Sequence, residues 1–106
     1  MIVASEDEMA VGSESSIKIY NRKTSKCKKT ITGHSGLIRD LLLHENTIHL
    51  FSGSDDKTIK MWDIKTSKCL RTFSGHNHSA NKIIFYSANV LCSASDDSNI
   101  KFWDIK

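Results

Sequence analysis

Apolar residues in this chain fall in short runs and in alternation, and no stretch repeats at the helical period of about 3.6. IRDLLLH (38–44) and NKIIFYS (81–87) are mostly apolar, the pattern of strands buried on both faces. IHLFSGS (48–54) and VLCSAS (90–95) form a second set. A third set alternates. Ile59 and Met61 point to one face, Lys60 and Trp62 to the other. Ile100 and Phe102 repeat that first face, as do Ile17 and Ile19. CLRTFSG (69–75) and CKKTITG (27–33) make a fourth set. Ser-Asp-Asp, Lys-Thr-Ser and Gly-His supply the turns between them. The pattern predicts an all-β chain.

The sets recur in order. A shift of about 42 lays Gly33-His34 on Gly75-His76, and Tyr20 on Trp62 on Trp103. The same shift lays Ser-Asp-Asp at 54–56 on Ser-Asp-Asp at 95–97, and TIKMWDIK (58–65) on NIKFWDIK (99–106). SIKIYNRK (16–23) sits in the same register, and KTSKC occurs at both 23–27 and 65–69. A period of this length marks a repeat architecture.

Gly-His, a gap of about two dozen residues, Ser-x-x-Asp and then Trp-Asp, on a four-strand period, resembles the WD repeat of β-propellers. The signature is complete in GHSGLIRDLLLHENTIHLFSGSDDKTIKMWD (33–63) and in GHNHSANKIIFYSANVLCSASDDSNIKFWD (75–104). The resemblance implies consecutive four-stranded antiparallel blades of a β-propeller, in an incomplete ring. Residues 1–33 would form a degenerate partial blade, with 1–3 as the tail of an innermost strand and 9–33 as the rest. Residues 34–75 would hold a complete blade, with its strands over 38–73, and 76–106 a blade lacking its outer strand. That makes about two and a half blades, against roughly 4–8 in a closed ring. A fragment of a longer protein, a truncated product and a subunit completed by assembly are all open. The strand over 99–104 is expected to present an open edge, through which the chain would self-associate.

His34, Ser52 or Ser54, and Asp56 form a Ser-His-Asp set near Trp62; His76, Ser93 or Ser95, and Asp97 form another near Trp103. Catalysis is disfavoured, because no Gly-x-Ser-x-Gly elbow exists and two copies in register suit a repeated structural device. The resemblance implies instead two hydrogen-bonded tetrads: His34, Ser52, Asp56, Trp62 and His76, Ser93, Asp97, Trp103. Indole N–H donates, a serine hydroxyl and a neutral histidine do both, and aspartate accepts, so the order closes with every member satisfied. Ser52 and Ser93 are preferred as the hydroxyl members by family pattern. Each bond would stabilise by about 0.5–1.5 kcal/mol. The first unit departs from the pattern, with Val11, Ser15 and Tyr20 in the serine, aspartate and tryptophan positions.

Other chemistry is weaker. His76-x-His78 lacks a third metal ligand at a recognisable spacing, so no metal or cofactor is expected. Cys27, Cys69 and Cys92 are odd in number and widely spaced, which suits neither disulfides nor zinc; Cys27 and Cys69 are expected to pack half-buried at the start of outer strands. NRKTSKCKK (21–29) holds five basic residues in nine, expected to be a solvated turn whose charge discourages edge pairing. With 106 residues, 25% charged and a net charge of +3, the chain suits one small domain and does not demand nucleic acid. No apolar run reaches membrane-spanning length, and MIVASEDEMA does not read as a signal peptide, so cytoplasm or nucleus is expected.

The resemblance implies a non-catalytic scaffold or adaptor that binds a protein or peptide. Substrate recognition in a ubiquitin ligase and a chromatin complex are finer alternatives, and a nucleic-acid- or phospholipid-binding propeller is a further one. By analogy the binding loops would be Ser35, Gly36, Leu37 and Arg39, with their counterparts Asn77, His78, Ser79 and Asn81.

Overall fold

A computed structural model describes residues 2–4 (as backbone), 7–44 and 48–105. Residues 1, 5–6, 45–47 and 106 lie outside the described residues, including the first and last positions of the expected terminal units. Eleven strands carry the described regular structure, and no helix is long and apolar enough to cross a membrane. β1 (Ile2–Ala4), β2 (Glu8–Ser13), β3 (Ser16–Asn21) and β4 (Cys27–Thr32) form the first sheet. β5 (Ile38–Leu43), β6 (His49–Ser54), β7 (Thr58–Asp63) and β8 (Lys68–Ser74) form the second. β9 (Ala80–Ser87), β10 (Val90–Ser95) and β11 (Ile100–Asp104) form the third. Each strand pairs antiparallel with the next in its sheet, and the sheets do not close.

Alternation sorts each sheet into two faces. In β7, Ile59 and Met61 share one face with Phe51 and Phe73; Trp62 shares the other with Leu50. We call these the isoleucine face and the tryptophan face. The core forms where the isoleucine face of one sheet meets the tryptophan face of the next. Ala10, Ile17, Ile19 and Ile31 of the first sheet cluster with Leu41, Leu50, Trp62 and Ile64. Phe51, Ile59 and Phe73 of the second cluster with Ala80, Ile83 and Leu91, flanked by Phe85, Trp103 and Ile105. Full burial of such a side chain stabilises by about 1.5–3 kcal/mol, so these two layers dominate the hydrophobic gain. Glycine keeps the second layer tight. A Cβ on Gly53 would lie 2.8 Å from the Ala80 carbonyl oxygen.

Polar ties cross the same joints. Asp40 is buried at the bulged start of β5, and its carboxylate accepts the Leu41 N–H (3.0 Å) and, from the third sheet, the Ile83 N–H (2.9 Å). At the outer strands, the Lys29 ammonium donates to the carbonyls of Ile64 and Lys65. One unit later, Arg71 donates to the Asp104 carbonyl at 2.9 Å. Lys29 and Arg71 hold equivalent positions, so both joints are closed at their periphery by the same kind of bond.

Two expectations change. NKIIFYS forms β9 but is buried on one face only. Ile84 and Tyr86 are 50% and 70% exposed, because no described sheet lies against that side. Cys27 and Cys69 are exposed rather than half-buried, since each opens an outer strand beyond the reach of both core layers.

Candidate functional site

The end of the sheets that carries the Gly-His loops and the Ser-Asp-Asp turns gathers most of the singled-out residues. In the second sheet, Trp62 Nε1–H donates to Ser52 Oγ at 2.8 Å. Ser52 Oγ lies 2.6 Å from His34 Nε2, and His34 Nδ1 lies 2.7 Å from Asp56 Oδ2. The donor inventory fixes the direction: indole to hydroxyl, hydroxyl to Nε2, and Nδ1–H to carboxylate. Asp56 also accepts the Ser35 N–H (3.1 Å), the Thr58 N–H (2.9 Å) and the Thr58 hydroxyl (2.5 Å). Ser54 stands outside the chain and accepts the Asp56 N–H at 3.1 Å. The network joins the loop before β5, the middle of β6 and β7, and the turn between them. Gly33 admits it, since a Cβ there would lie 2.7 Å from the Trp62 ring.

The third sheet repeats the arrangement with one link open. Trp103 Nε1–H donates to Ser93 Oγ at 2.8 Å, and Ser93 Oγ lies 2.7 Å from His76 Nε2. His76 Nδ1, however, stands 3.5 Å from Asp97 Oδ2 and, though buried, has no hydrogen-bond partner. Asp97 accepts the backbone N–H groups of Asn77 and Asn99 instead, each at 2.9 Å. Ser95 accepts the Asp97 N–H at 3.3 Å, as Ser54 does one sheet earlier. In the first sheet, Val11 pairs with Lys18 where Ser52 pairs with Lys60, and Tyr20 follows at the tryptophan position. No hydroxyl–imidazole–carboxylate chain can form from those side chains.

Burial pushes the His34 imidazole below its ordinary pKa, against the pull of the neighbouring Asp56 carboxylate, so the ring is neutral at pH 7. For Asp56, burial works toward a higher value, but hydrogen bonds from Thr58 and His34 outweigh it and hold the carboxyl low. The Asn77 N–H, with help from Asn99, takes the Asp97 carboxyl down to about 2. Ser52 and Ser93 are fully buried, and each spends its hydroxyl between an indole and an imidazole. Neither hydroxyl is placed to meet a substrate.

Outside the tetrads lies a polar surface. Arg39 grips Asp55 with two bonds of 2.5 and 2.6 Å. That pair, with Ser79 next, holds the Asp55 carboxyl below the ordinary range, and Ser79 belongs to the third sheet's loop. Asn81 donates to Asp96 in the corresponding place. Leu37 is 47% exposed while its carbonyl accepts the Asp55 N–H at 2.8 Å. Gly36 lies flat on the tight turn, where a Cβ would stand 2.7 Å from the Asp56 nitrogen. His78 and the side chains of Ser35 and Asn77 face solvent. Lys57 and Ser98 complete the turns with φ of 75° and 68°.

The structure separates the remaining candidates. His76 is buried and bonded while His78 is exposed, and no group of three His, Cys, Asp or Glu side chains that could hold a metal occurs among the described residues. Within the basic stretch, Lys28 pairs with Glu8 at 2.5 Å, Lys29 is tied to carbonyls, and the turn at 22–27 is exposed. Two features escape pattern reading. Asp40 is one; a lone acid inside IRDLLLH was its signal. The other is a groove of about 380 Å³ at the opposite end, lined by His44, His49, Phe51, Met61 and Asn89.

A family model described as the WD40 WD domain, G-beta repeat, matches residues 25–63 and 67–104. Each match takes in an outer strand, the following Gly-His loop and three strands of the next sheet, ending at or beside the Trp-Asp pair. No curated protein matches the chain. The two matches span most of its length and include both tetrads, so the chain belongs to the WD40-repeat family.

Proposed function

We propose that this chain is a non-catalytic docking platform that reads a protein or peptide segment across the Gly-His end of its sheets. WD40 repeats generally mediate protein–protein interaction, and the family is typically a scaffold rather than a catalyst. One observation carries the reading for this chain: the Arg39–Asp55 pair on the second sheet and the Asn81–Asp96 pair in the corresponding place on the third, which set matching polar groups at the Gly-His end of adjacent sheets. These groups are fixed by short turns and by the tetrads beneath, so a ligand would meet groups whose ordering entropy is already lost. Leu37 offers apolar contact beside the charged pair, and Asn77 and His78 extend the polar rim. The surface mixes both signs of charge, which suits a folded or extended protein segment better than a polyanion. A polyanion would demand a uniformly basic face and a steep dependence on salt.

A peptide-display library tests this. Peptides selected on the chain should lose binding to a Leu37→Asp/Arg39→Ala variant and retain it on a Lys65→Ala variant at the opposite end. Selected peptides that bind the loop variant as well as the parent would refute the assignment.

A further inference from the structure

The end of the second sheet opposite the Gly-His loops carries a donor set that the repeat does not copy. His44 follows β5 and His49 opens β6, and the His44 N–H donates to the His49 carbonyl at 2.9 Å. That bond sets the two residues opposite each other, where side chains of an antiparallel pair share a face. Their imidazoles meet edge-to-face with centroids 6.3 Å apart. Met61 lies on the same face, two residues before Asp63, the register partner of His49. All three side chains line the groove of about 380 Å³. The tetrads recur from the second sheet to the third, but this set does not. At the positions of His49 and Met61 the third sheet has Val90 and Phe102, and the first has Glu8 and Ile19. The first joint packs well with Ile19 in the place of Met61, so sheet-to-sheet packing does not call for the set.

We infer that His44, His49 and Met61 bind a soft monovalent cation of the Cu(I) class. Three observations select the ion. Structural zinc takes four protein ligands, and no third His, Cys, Asp or Glu joins the imidazole pair among the described residues. A thioether is a soft donor that selects Cu(I), while imidazole serves copper as well as it serves zinc. The other walls are largely apolar. Phe51, Ala88 and Ile105 line the groove, and Phe85 stands edge-on to His44 at 5.3 Å and to Phe51 at 5.6 Å. Desolvation cost rises with the square of the charge, so such walls penalise a dication about four times as heavily as a monocation. Asp63 does not offset this, since its Oδ1 accepts the Lys65 and Thr66 N–H groups at 2.9 and 3.3 Å. His44 Nε2 stands 3.5 Å from the Ala88 carbonyl, a contact weak enough to release when the ring turns toward the ion. The bound ion would tie the ends of β5, β6 and β7 together, away from the docking loops.

Anaerobic Cu(I) titration in ascorbate, read by competition with the chromogenic chelator bicinchoninate, is the test. The full chain is used with Cys27→Ser, Cys69→Ser and Cys92→Ser, which remove competing thiols. It should take one equivalent of Cu(I) that excess Zn(II) does not displace. His44→Gln and His49→Gln should each weaken binding by at least about a hundredfold, because even outer-shell partners of a metal cost about 10–100-fold. Met61→Leu keeps the apolar volume and should weaken Cu(I) binding by about tenfold. His78→Gln, at the other end, should change nothing. Far-ultraviolet dichroism checks that each variant keeps its β-structure. If a histidine variant does not, the redox-inert ion Ag(I) decides on the parent, where it should shift the Met61 methyl resonance and Zn(II) should not. A chain that retains no copper against the chelator overturns the inference. So does binding that survives both histidine substitutions, a Met61→Leu variant of parental affinity, or zinc that displaces the copper.

Discussion

Replacing Asp56 by alanine takes one acceptor from four donors: His34 Nδ1–H, Ser35 N–H, Thr58 N–H and the Thr58 hydroxyl. They are not equivalent. Ser35 is exposed and Thr58 half-buried, so water replaces much of what they lose. His34 Nδ1 sits on a side chain only 1% exposed, and its N–H would be left buried without a partner. An orphaned donor of that kind costs about 1–3 kcal/mol, and the wetter bonds add a fraction each, giving about 2–3 kcal/mol in all. A domain of this size is stable by roughly 5–15 kcal/mol, so the loss is a sizeable share. Urea unfolding followed by tryptophan fluorescence reads it. With an m-value of about 1.5 kcal/mol per M, the midpoint should fall by about 1–2 M. Asp97→Ala is the matched control. His76 Nδ1 is already unpartnered at 3.5 Å, so that substitution orphans no new imidazole and should lower the midpoint clearly less. Equal losses from the two variants, or none from Asp56→Ala, would refute the assignment of the stability to the closed link.

Acid should weaken the fold in two windows. His34 protonates less readily folded than unfolded, so its contribution is full above about pH 6.5 and drains as the pH falls below that; His34→Gln should flatten the slope between about pH 5 and 7. Asp97, held at about 2, acts lower down, its contribution complete above its unfolded value and lost as the pH falls through 2, measurable as an acid-unfolding limb that Asp97→Asn removes. Asp40→Ala would strand the buried Ile83 N–H at the second joint and should cost about 1–3 kcal/mol in urea melts, whereas Lys82→Ala, on an exposed partner 4.0 Å from the same carboxylate, should change little. Gly33→Ala drives a methyl to 2.7 Å from the Trp62 ring and should destabilise by about 1–3 kcal/mol; Gly75→Ala, at 3.2 Å from Trp103, should be milder in the same melt.

Strand placement was legible because alternation is local. Ile59, Met61 and Trp62 declare their faces within a single strand, and the repeat then carries the assignment to Ile17, Ile19, Ile100 and Phe102. Donor and acceptor capacities recur in register but do not choose between serines: Ser52 and Ser54 are equivalent by type, and the preference for Ser52 and Ser93 came from the WD-repeat resemblance. Relations between sheets were not legible. Whether the apolar run of β9 is covered on both sides depends on what stands beside the third sheet, and nothing in NKIIFYS records that. Asp40 looks like a surface acid until the neighbouring strand brings an amide to its carboxylate. His34–Asp56 and His76–Asp97 are the same residue types at nearly the same spacing, yet one pair closes at 2.7 Å and the other stands at 3.5 Å. Differences of that size lie below the resolution of any pattern of letters.

The joint between sheets is written twice in interchangeable terms. Leu41, Leu50, Trp62 and Ile64 face the first sheet, and Ile83, Leu91, Trp103 and Ile105 face the second from corresponding places. The middle unit therefore carries both a plug and a socket of standard form. Tandem duplication of residues 34–75 would add one more plug and one more socket that already fit each other, so such an array can lengthen or shorten by whole modules without inventing a new core.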